Sequence, residues 1–220
     1  MSSYVSRAGD KLAEANRLFR VDFRDKIVLD IGSSTGGFTD YALQNGAKKV
    51  IAVEKGTDQL SPKLRQHPRI ELHEKTDVLN FSISERGYQA ISAGETCPST
   101  SERTHKLLDD GSGEVSPDII LIDVSFISIL PILTHARKNL THQDTLIFAM
   151  LKPQFEAKPH ELINGRVKNS KIRRQIIKDF ELKLKPHFII IKKHDNSLKG
   201  REEQNQERFY LLKTSTSNQN

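Results

Sequence analysis

The stretch Asp30-Ile-Gly-Ser-Ser-Thr-Gly-Gly-Phe38 constrains this chain most. It follows the apolar run Ile27-Val28-Leu29 and leads into Phe38-Thr39-Asp40-Tyr41-Ala42-Leu43, which reads as a helix. Glycines let the backbone turn sharply and approach a ligand closely, and the next helix presents free N–H groups at its start. A strand, a glycine-rich turn and a helix in that order make a cofactor cradle. Its residues are Gly32, Ser33, Ser34, Thr35, Gly36, Gly37 and Phe38, with Asp30 behind them. The spacing is neither the dinucleotide fingerprint G-x-G-x-x-G nor the Walker pattern, and no lysine stands where a phosphate-binding loop needs one. An ordinary tight βα turn has the same local look, so the rest of the chain decides what the segment means.

Apolar runs alternate with helical patterns along the chain. Asp10 to Phe19 carries Leu12, Ala15, Leu18 and Phe19 at helical spacing. Ile27–Leu29, Lys49–Val53, Ile70–His73, Ile119–Ile122, Thr145–Leu151, Phe188–Ile191 and Phe209–Leu212 read as strands. Helices are expected over Thr39–Asn45 with Gly46 as C-cap, over Pro62–Gln66, over Ile127–Asn139 with Pro131 in the first turns, and over Asn169–Leu184. This alternation predicts an α/β fold with a mainly parallel sheet and helices on both faces. One domain over residues 1–213 suits the length of 220 residues. Residues 85–117 lack periodicity, hold a cluster of turn formers and are acidic, which reads as a mobile insertion. The polar end, 214–220, reads as a disordered tail.

Charge is uneven. Of the 34 basic and 28 acidic residues, 16 and 8 lie from Lys152 onward. A basic C-terminal portion suggests a polyanionic partner, with RNA leading; a solvated charged surface gives the same count. No apolar run reaches 18 residues, and the N-terminus lacks the apolar stretch of a signal peptide. The single cysteine, Cys97, has no intrachain partner. These features predict a cytoplasmic protein. The eight histidines show no H-E-x-x-H spacing, so no metal site is expected.

In open α/β sheets, ligands bind outside the carboxyl ends of the strands. Glu54 ends the second strand, where a carboxylate can accept hydrogen bonds from a ribose diol. Asp77 lies just past the third and is a candidate for an adenine amino group. Asp123 and Lys152 end the next two strands, each after at least four apolar residues. An acid and a lysine at adjacent strand ends suggest a proton-transfer site, although an isolated Lys–Asp pair is commonly a surface salt bridge.

Four blocks carry a family resemblance: Ser6-Arg7-Ala-Gly-Asp-Lys11-Leu, Leu29 to Asp40, Asp123-Val-Ser-Phe-Ile-Ser128, and Leu151-Lys-Pro-Gln-Phe-Glu156. In this order they resemble the TlyA-type (haemolysin A) branch of the FtsJ-like RNA methyltransferases. The resemblance implies a Rossmann-like fold and S-adenosylmethionine as methyl donor, held by the 30–38 segment, Glu54, Asp77 and Asp123. It implies methylation of RNA ribose 2′-hydroxyls, with ribosomal RNA the typical substrate. The family's Lys-Asp-Lys-Glu set falls on Lys11, Asp123, Lys152 and, before the last strand, Glu207, with Glu202 and Glu203 as competitors. Arg7, Arg166, Lys168, Lys171, Arg173, Arg174 and Lys178 are candidates for RNA phosphate contacts. Only five residues precede Ser6, so the family's small N-terminal RNA-binding domain is expected to be missing. A non-catalytic RNA-binding protein on the same fold is the alternative; a small-molecule methyltransferase fits the basic C-terminal portion less well.

Overall fold

The structure, a computed structural model, describes residues 2–84, 87–90, 116–197 and 205–215. Its helices are α1 (Arg7–Phe19), α2 (Gly37–Gln44), α3 (Pro62–Arg65), α4 (Leu130–Asn139), α5 (Pro153–Glu156) and α6 (Ser170–Leu184). Its strands are β1 (Ile27–Ile31), β2 (Lys49–Val53), β3 (Ile70–His73), β4 (Phe81–Ser84), β5 (Gly87–Ala90), β6 (Ile119–Ile122), β7 (Leu146–Leu151), β8 (Leu162–Ile163), β9 (Arg166–Val167), β10 (Phe188–Asp195) and β11 (Arg208–Thr214).

Seven strands form one sheet in the order β10-β11-β7-β6-β1-β2-β3. The pairs β1–β2, β1–β6, β2–β3 and β6–β7 are parallel, and β11 runs antiparallel to both neighbours. The chain leaves β1 toward β2 and β3, then returns to β1's other side at β6. That reversal opens a crevice at the carboxyl ends, between the β1 and β6 loops.

Both faces of the sheet are covered, which is why its strands read as unbroken apolar runs. Val28, Val50, Ile119, Leu121 and Phe148 pack with Leu12, Ala15 and Phe19 of α1 and Phe38 and Tyr41 of α2. Leu29, Ile51, Ile120, Ile122 and Ile147 face the other way, against Leu133 of α4 and Ile177 and Phe180 of α6. Successive side chains along a strand point to opposite faces, so one run supplies both cores.

Helix boundaries follow local chemistry. Gly46 has φ +89°, and its N–H donates to Leu43 O while Ala47 N donates to Ala42 O, the closure expected of a C-terminal glycine. Asn169 caps α6, its Oδ1 accepting from Ile172 N at 3.0 Å. Helix α4 starts at Leu130 rather than Ile127, because residues 123–129 form a loop at the strand end.

Part of the expected 85–117 insertion lies among the described residues. β4 and β5 pair antiparallel, so residues 87–90 belong to a hairpin; residues 85–86 and 91–115 lie outside the described residues. β11 runs to Thr214, and Ser215 N donates to His187 O, so the expected tail loses its first two residues to the fold. Residues 216–220 lie outside the described residues.

Candidate active site

Gly32 makes the first turn of the cradle at φ +78°. A Cβ there would stand 2.6 Å from the backbone oxygen of Asp123, so only glycine lets the β1 and β6 loops approach. Gly32→Ala is expected to cost about 3 kcal/mol of stability and to weaken S-adenosylmethionine binding; thermal unfolding and calorimetric titration check both. The N–H groups of Gly32 and Ser33 donate to Val53 O at 2.9 and 3.3 Å. Glu54 then ties the two loops together: Oε2 accepts from Ser34 N at 2.9 Å and Oε1 from Gly56 N at 2.7 Å. Thr35 is exposed, while Gly36, Gly37 and Phe38 are buried under α1 and α3.

Asp30 lies beneath the loop. Its carboxylate is fully buried, and Oδ2 accepts from Thr39 Oγ1 at 2.6 Å. Burial pushes the Asp30 carboxyl pKa up to about 7, against the Thr39 hydrogen bond, with Asp123 and Glu54 adding repulsion. Asp30 Oδ1 and Ser33 Oγ are buried without a hydrogen-bond partner among the described residues. Orphaned polar atoms of this kind suit a site built to receive a polar ligand. Asp77 is engaged locally, with Oδ1 accepting from Leu79 N and Oδ2 paired with Lys55 at 2.9 Å. The Lys55 hydrogen bond, outweighing partial burial, holds its carboxyl below the usual range.

Two acid–lysine pairs stand on the other side of the crevice. Lys152 Nζ lies 2.6 Å from Asp123 Oδ1 and donates to Ser125 Oγ at 2.7 Å. Lys11 Nζ lies 2.6 and 2.8 Å from the two carboxylate oxygens of Glu207. All four side chains are only 12–18% exposed, so water screens these pairs less than a surface bridge. Sheet register assembles them. Arg208 pairs with Leu151, which sets Glu207 beside Lys152 where β7 leaves the sheet and β11 enters it. Asp123 N continues the β1–β6 ladder by donating to Ile31 O. Lys11 comes from α1, whose apolar face packs on the same strands. Glu202 and Glu203 lie outside the described residues.

The chain matches the FtsJ-like methyltransferase family over residues 4–214. It belongs to that family. It is 40% identical over 179 residues to YqxC of Bacillus subtilis, a match covering 80% of this chain and 53% of YqxC. A Campylobacter jejuni relative, named 23S rRNA (cytidine-2′-O)-methyltransferase TlyA, is 30% identical over 213 residues, 96% of this chain and 71% of its own. A solved Streptococcus thermophilus structure superposes with a TM-score of 0.78 at 33% identity, covering all of this chain and 70% of that one. The chain thus spans about half the length of YqxC, the first of its curated relatives. Family membership supports S-adenosylmethionine as the cofactor, and the glycine cradle, the orphaned buried atoms and the Glu54 carboxylate fit it.

This member of the FtsJ-like family also has residues beside the β6 and β7 ends to which the sequence motifs assigned no role. Phe126 is 87% exposed at φ +69°, a strained conformation for a bulky residue. Its ring lies 5.3 Å from that of Phe155. Glu156 holds the loop that carries it: Oε2 accepts from Ser128 Oγ and Oε1 from Ile129 N, both at 2.8 Å. The motifs contain these residues, but only the fold shows that one grips the other. Among the RNA candidates, Arg7, Lys168, Lys171, Arg174 and Lys178 are exposed, and Arg166 is half-buried in β9. Arg173, also expected to contact RNA, is half-buried and bonds Asp195 at 2.6 Å and the carbonyl of Gln206. Burial raises the Asp195 carboxyl, but hydrogen bonds from Arg208 and Arg173 outweigh it and hold it down at about 2. Among the described residues no acid, His or Cys cluster can hold a metal, and no helix is long and apolar enough to cross a membrane.

Proposed function

We propose that this protein transfers a methyl group from S-adenosylmethionine to a ribose 2′-hydroxyl of RNA, with ribosomal RNA the favoured substrate, in the cytoplasm. One observation carries the reading: the pairs Lys152–Asp123 and Lys11–Glu207 converge at adjacent strand ends, across the crevice from the glycine cradle. The name of the Campylobacter jejuni relative supports the same chemistry.

Bound S-adenosylmethionine supplies an electrophilic methyl group. The chain's own residues hold the acceptor and remove its proton. A ribose hydroxyl is a poor acid, so its proton must leave as the oxygen attacks. Lys152, in its neutral form, is the base; Asp123 and Ser125 fix its position. Lys11 and Glu207 orient the hydroxyl, and the Lys11 charge stabilises the developing alkoxide. On the donor side the 32–37 backbone and Glu54 position the cofactor, while Asp30 and Asp123 pin the loops beneath it. Asp77, paired with Lys55 through Oδ2, would accept from the adenine amino group. Alignment and desolvation supply most of the acceleration.

The test is transfer of label from S-adenosylmethionine to deproteinised ribosomal RNA. A 2′-O-methyl group blocks alkaline cleavage of the adjoining phosphodiester, so label must appear in alkali-stable dinucleotides. Tight cofactor binding with no label in any RNA pool would sink the reading in favour of a non-catalytic RNA-binding protein. Glu156 gives a narrower check. Glu156→Ala frees the loop bearing Phe126 and Ser125, and is expected to lower kcat about tenfold with cofactor affinity unchanged. Glu156→Gln keeps an acceptor for Ile129 N and should recover most of the rate in steady-state assays.

A further inference from the structure

A small hairpin beside the acceptor pairs has no part in the chemistry above. Its two strands, β8 and β9, pair Leu162 with Val167 and Ile163 with Arg166. Asn164 and Gly165 both have positive φ, at +49° and +73°, the signature of a two-residue type I′ turn. The tip projects: a Cβ placed on Gly165 would meet nothing within 4 Å. The base is fixed, because β9 packs against α5 and α6. Asn205 clamps it further, accepting from Val167 N at 3.3 Å and donating to Gly165 O at 3.2 Å. Asn205 lies two residues before Glu207, and α5 begins one residue after Lys152. The hairpin is therefore anchored on both sides to the segments that carry the acceptor pairs.

Its chemistry is unusual for a surface turn. Ile163, next to the turn, is 57% exposed. Around it the chain is strongly cationic: from Ala157 to Lys178 there are seven Lys and Arg against one acid, Glu161. That acid is turned to local use, its Oε2 accepting from Lys158 N at 2.7 Å. Lys158, Lys168 and Lys171 are exposed and have no ion pair among the described residues. An exposed isoleucine beside the turn, flanked in the chain by exposed unpaired lysines, matches a ligand with apolar faces between negative charges, which describes a nucleic acid strand better than a protein surface.

We propose that the Leu162–Val167 hairpin docks RNA beside the acceptor ribose. Ile163 seats against a base neighbouring the modified nucleotide, and Lys158, Lys168 and Lys171 hold the flanking phosphates. This rests on the RNA-methyltransferase reading and adds the surface that would recognise the strand.

The experiment measures binding and turnover separately. Fluorescently labelled, deproteinised ribosomal RNA is titrated with the parent, Ile163→Ser, the double variant Lys158→Glu/Lys168→Glu, and Lys138→Glu on α4 as a charge control away from the hairpin. Calorimetric S-adenosylmethionine affinity and thermal unfolding are recorded for each. Ile163→Ser is expected to raise Kd and the KM for RNA about tenfold, with cofactor affinity and melting unchanged. The double variant should flatten the slope of log affinity against log salt by at least about 1.4, two single-strand phosphate contacts, while Lys138→Glu changes neither constant appreciably. If the parent methylates RNA and Ile163→Ser matches it in Kd and KM, the hairpin proposal is overturned and the function stands. If the parent transfers no methyl group but the hairpin variants weaken binding as stated, the function fails and the docking surface stands. A parent that binds no RNA overturns both. Weakening seen only with intact ribosomal subunits would assign the tip to a ribosomal protein and overturn the RNA contact.

Discussion

Lys152→Ala should slow methyl transfer about a thousandfold while S-adenosylmethionine binds as it does to the parent. Lys152 Nζ sits 2.6 Å from Asp123 and 2.7 Å from Ser125, on the proposed acceptor side of the crevice. The proposed donor side, Gly32, Ser33 and Glu54, hydrogen-bonds to backbone groups and not to Lys152. On the proposed assignment, losing the lysine removes the base and leaves the cofactor's proposed holders intact, so the effect belongs in kcat. Single-turnover transfer of labelled methyl, with calorimetry beside it, reads the two apart. Lys152→Arg separates two roles that alanine cannot. A guanidinium keeps the positive charge but does not give up its proton. An inactive arginine variant fits a base at this position, and an active one fits a charge that only stabilises. A near-parent rate for Lys152→Ala would take the residue out of the chemistry altogether.

The cofactor-free protein should lose about 4 kcal/mol of stability through Asp30 as pH rises from acid to neutral, and Asp30→Asn should remove that loss. Burial pushes this carboxyl up to about 7 in the folded state, against about 3.9 in an unfolded chain. Between those values the native protein holds a proton that the unfolded chain has released. The native state is then favoured most below about pH 4, and that advantage falls as pH climbs through about 7. Asparagine carries no charge at any pH and still offers an oxygen to Thr39 Oγ1. Its amide leaves donors unpaired in a buried site, a roughly constant cost across the range. Urea unfolding at about pH 5, 6, 7 and 8 gives the comparison. The variant should gain on the parent by about 3 kcal/mol between the ends of that series. Parallel curves for the two proteins would mean that Asp30 does not titrate in this window.

The parts of this fold that were legible in the chain share one property: their signal is local. Ile27–Leu29, Ile119–Ile122 and Leu146–Leu151 are continuous apolar runs because both faces of the sheet are covered. Gly46 and Asn169 marked helix ends because each satisfies backbone groups within a few residues of itself. Asp123 and Lys152 stood out as the first polar groups where strands leave the core. Elements with short or mixed signals were missed. β8 and β9 are two residues each, too short for periodicity, although Asn164-Gly165 is itself a hairpin signal. β10 was read only to Ile191, because Lys192, Lys193 and His194 look like the end of a strand. They continue it because β10 is a sheet edge, where polar side chains are tolerated.

Residue types along the chain thus established an α/β sheet, a glycine cradle at its first strand end, and acids and lysines at the neighbouring ends. Which of those groups meet was decided by the tertiary structure. Lys11 and Glu207 are 196 positions apart and become partners because α1 packs on the strands that β11 joins. Arg173 pairs with Asp195 because β10 follows α6 directly and runs back along it, which brings the end of the strand to the start of the helix. Glu156 and Ser128 were conspicuous only as motif letters until the β6 and β7 ends brought them together. Local propensity depends on the nearest few residues, and it carries no record of pairings made by sheet register. Asp30 shows the limit most plainly. Its position behind the cradle was readable, but its acidity depends on complete burial and on two distant carboxylates, Asp123 and Glu54.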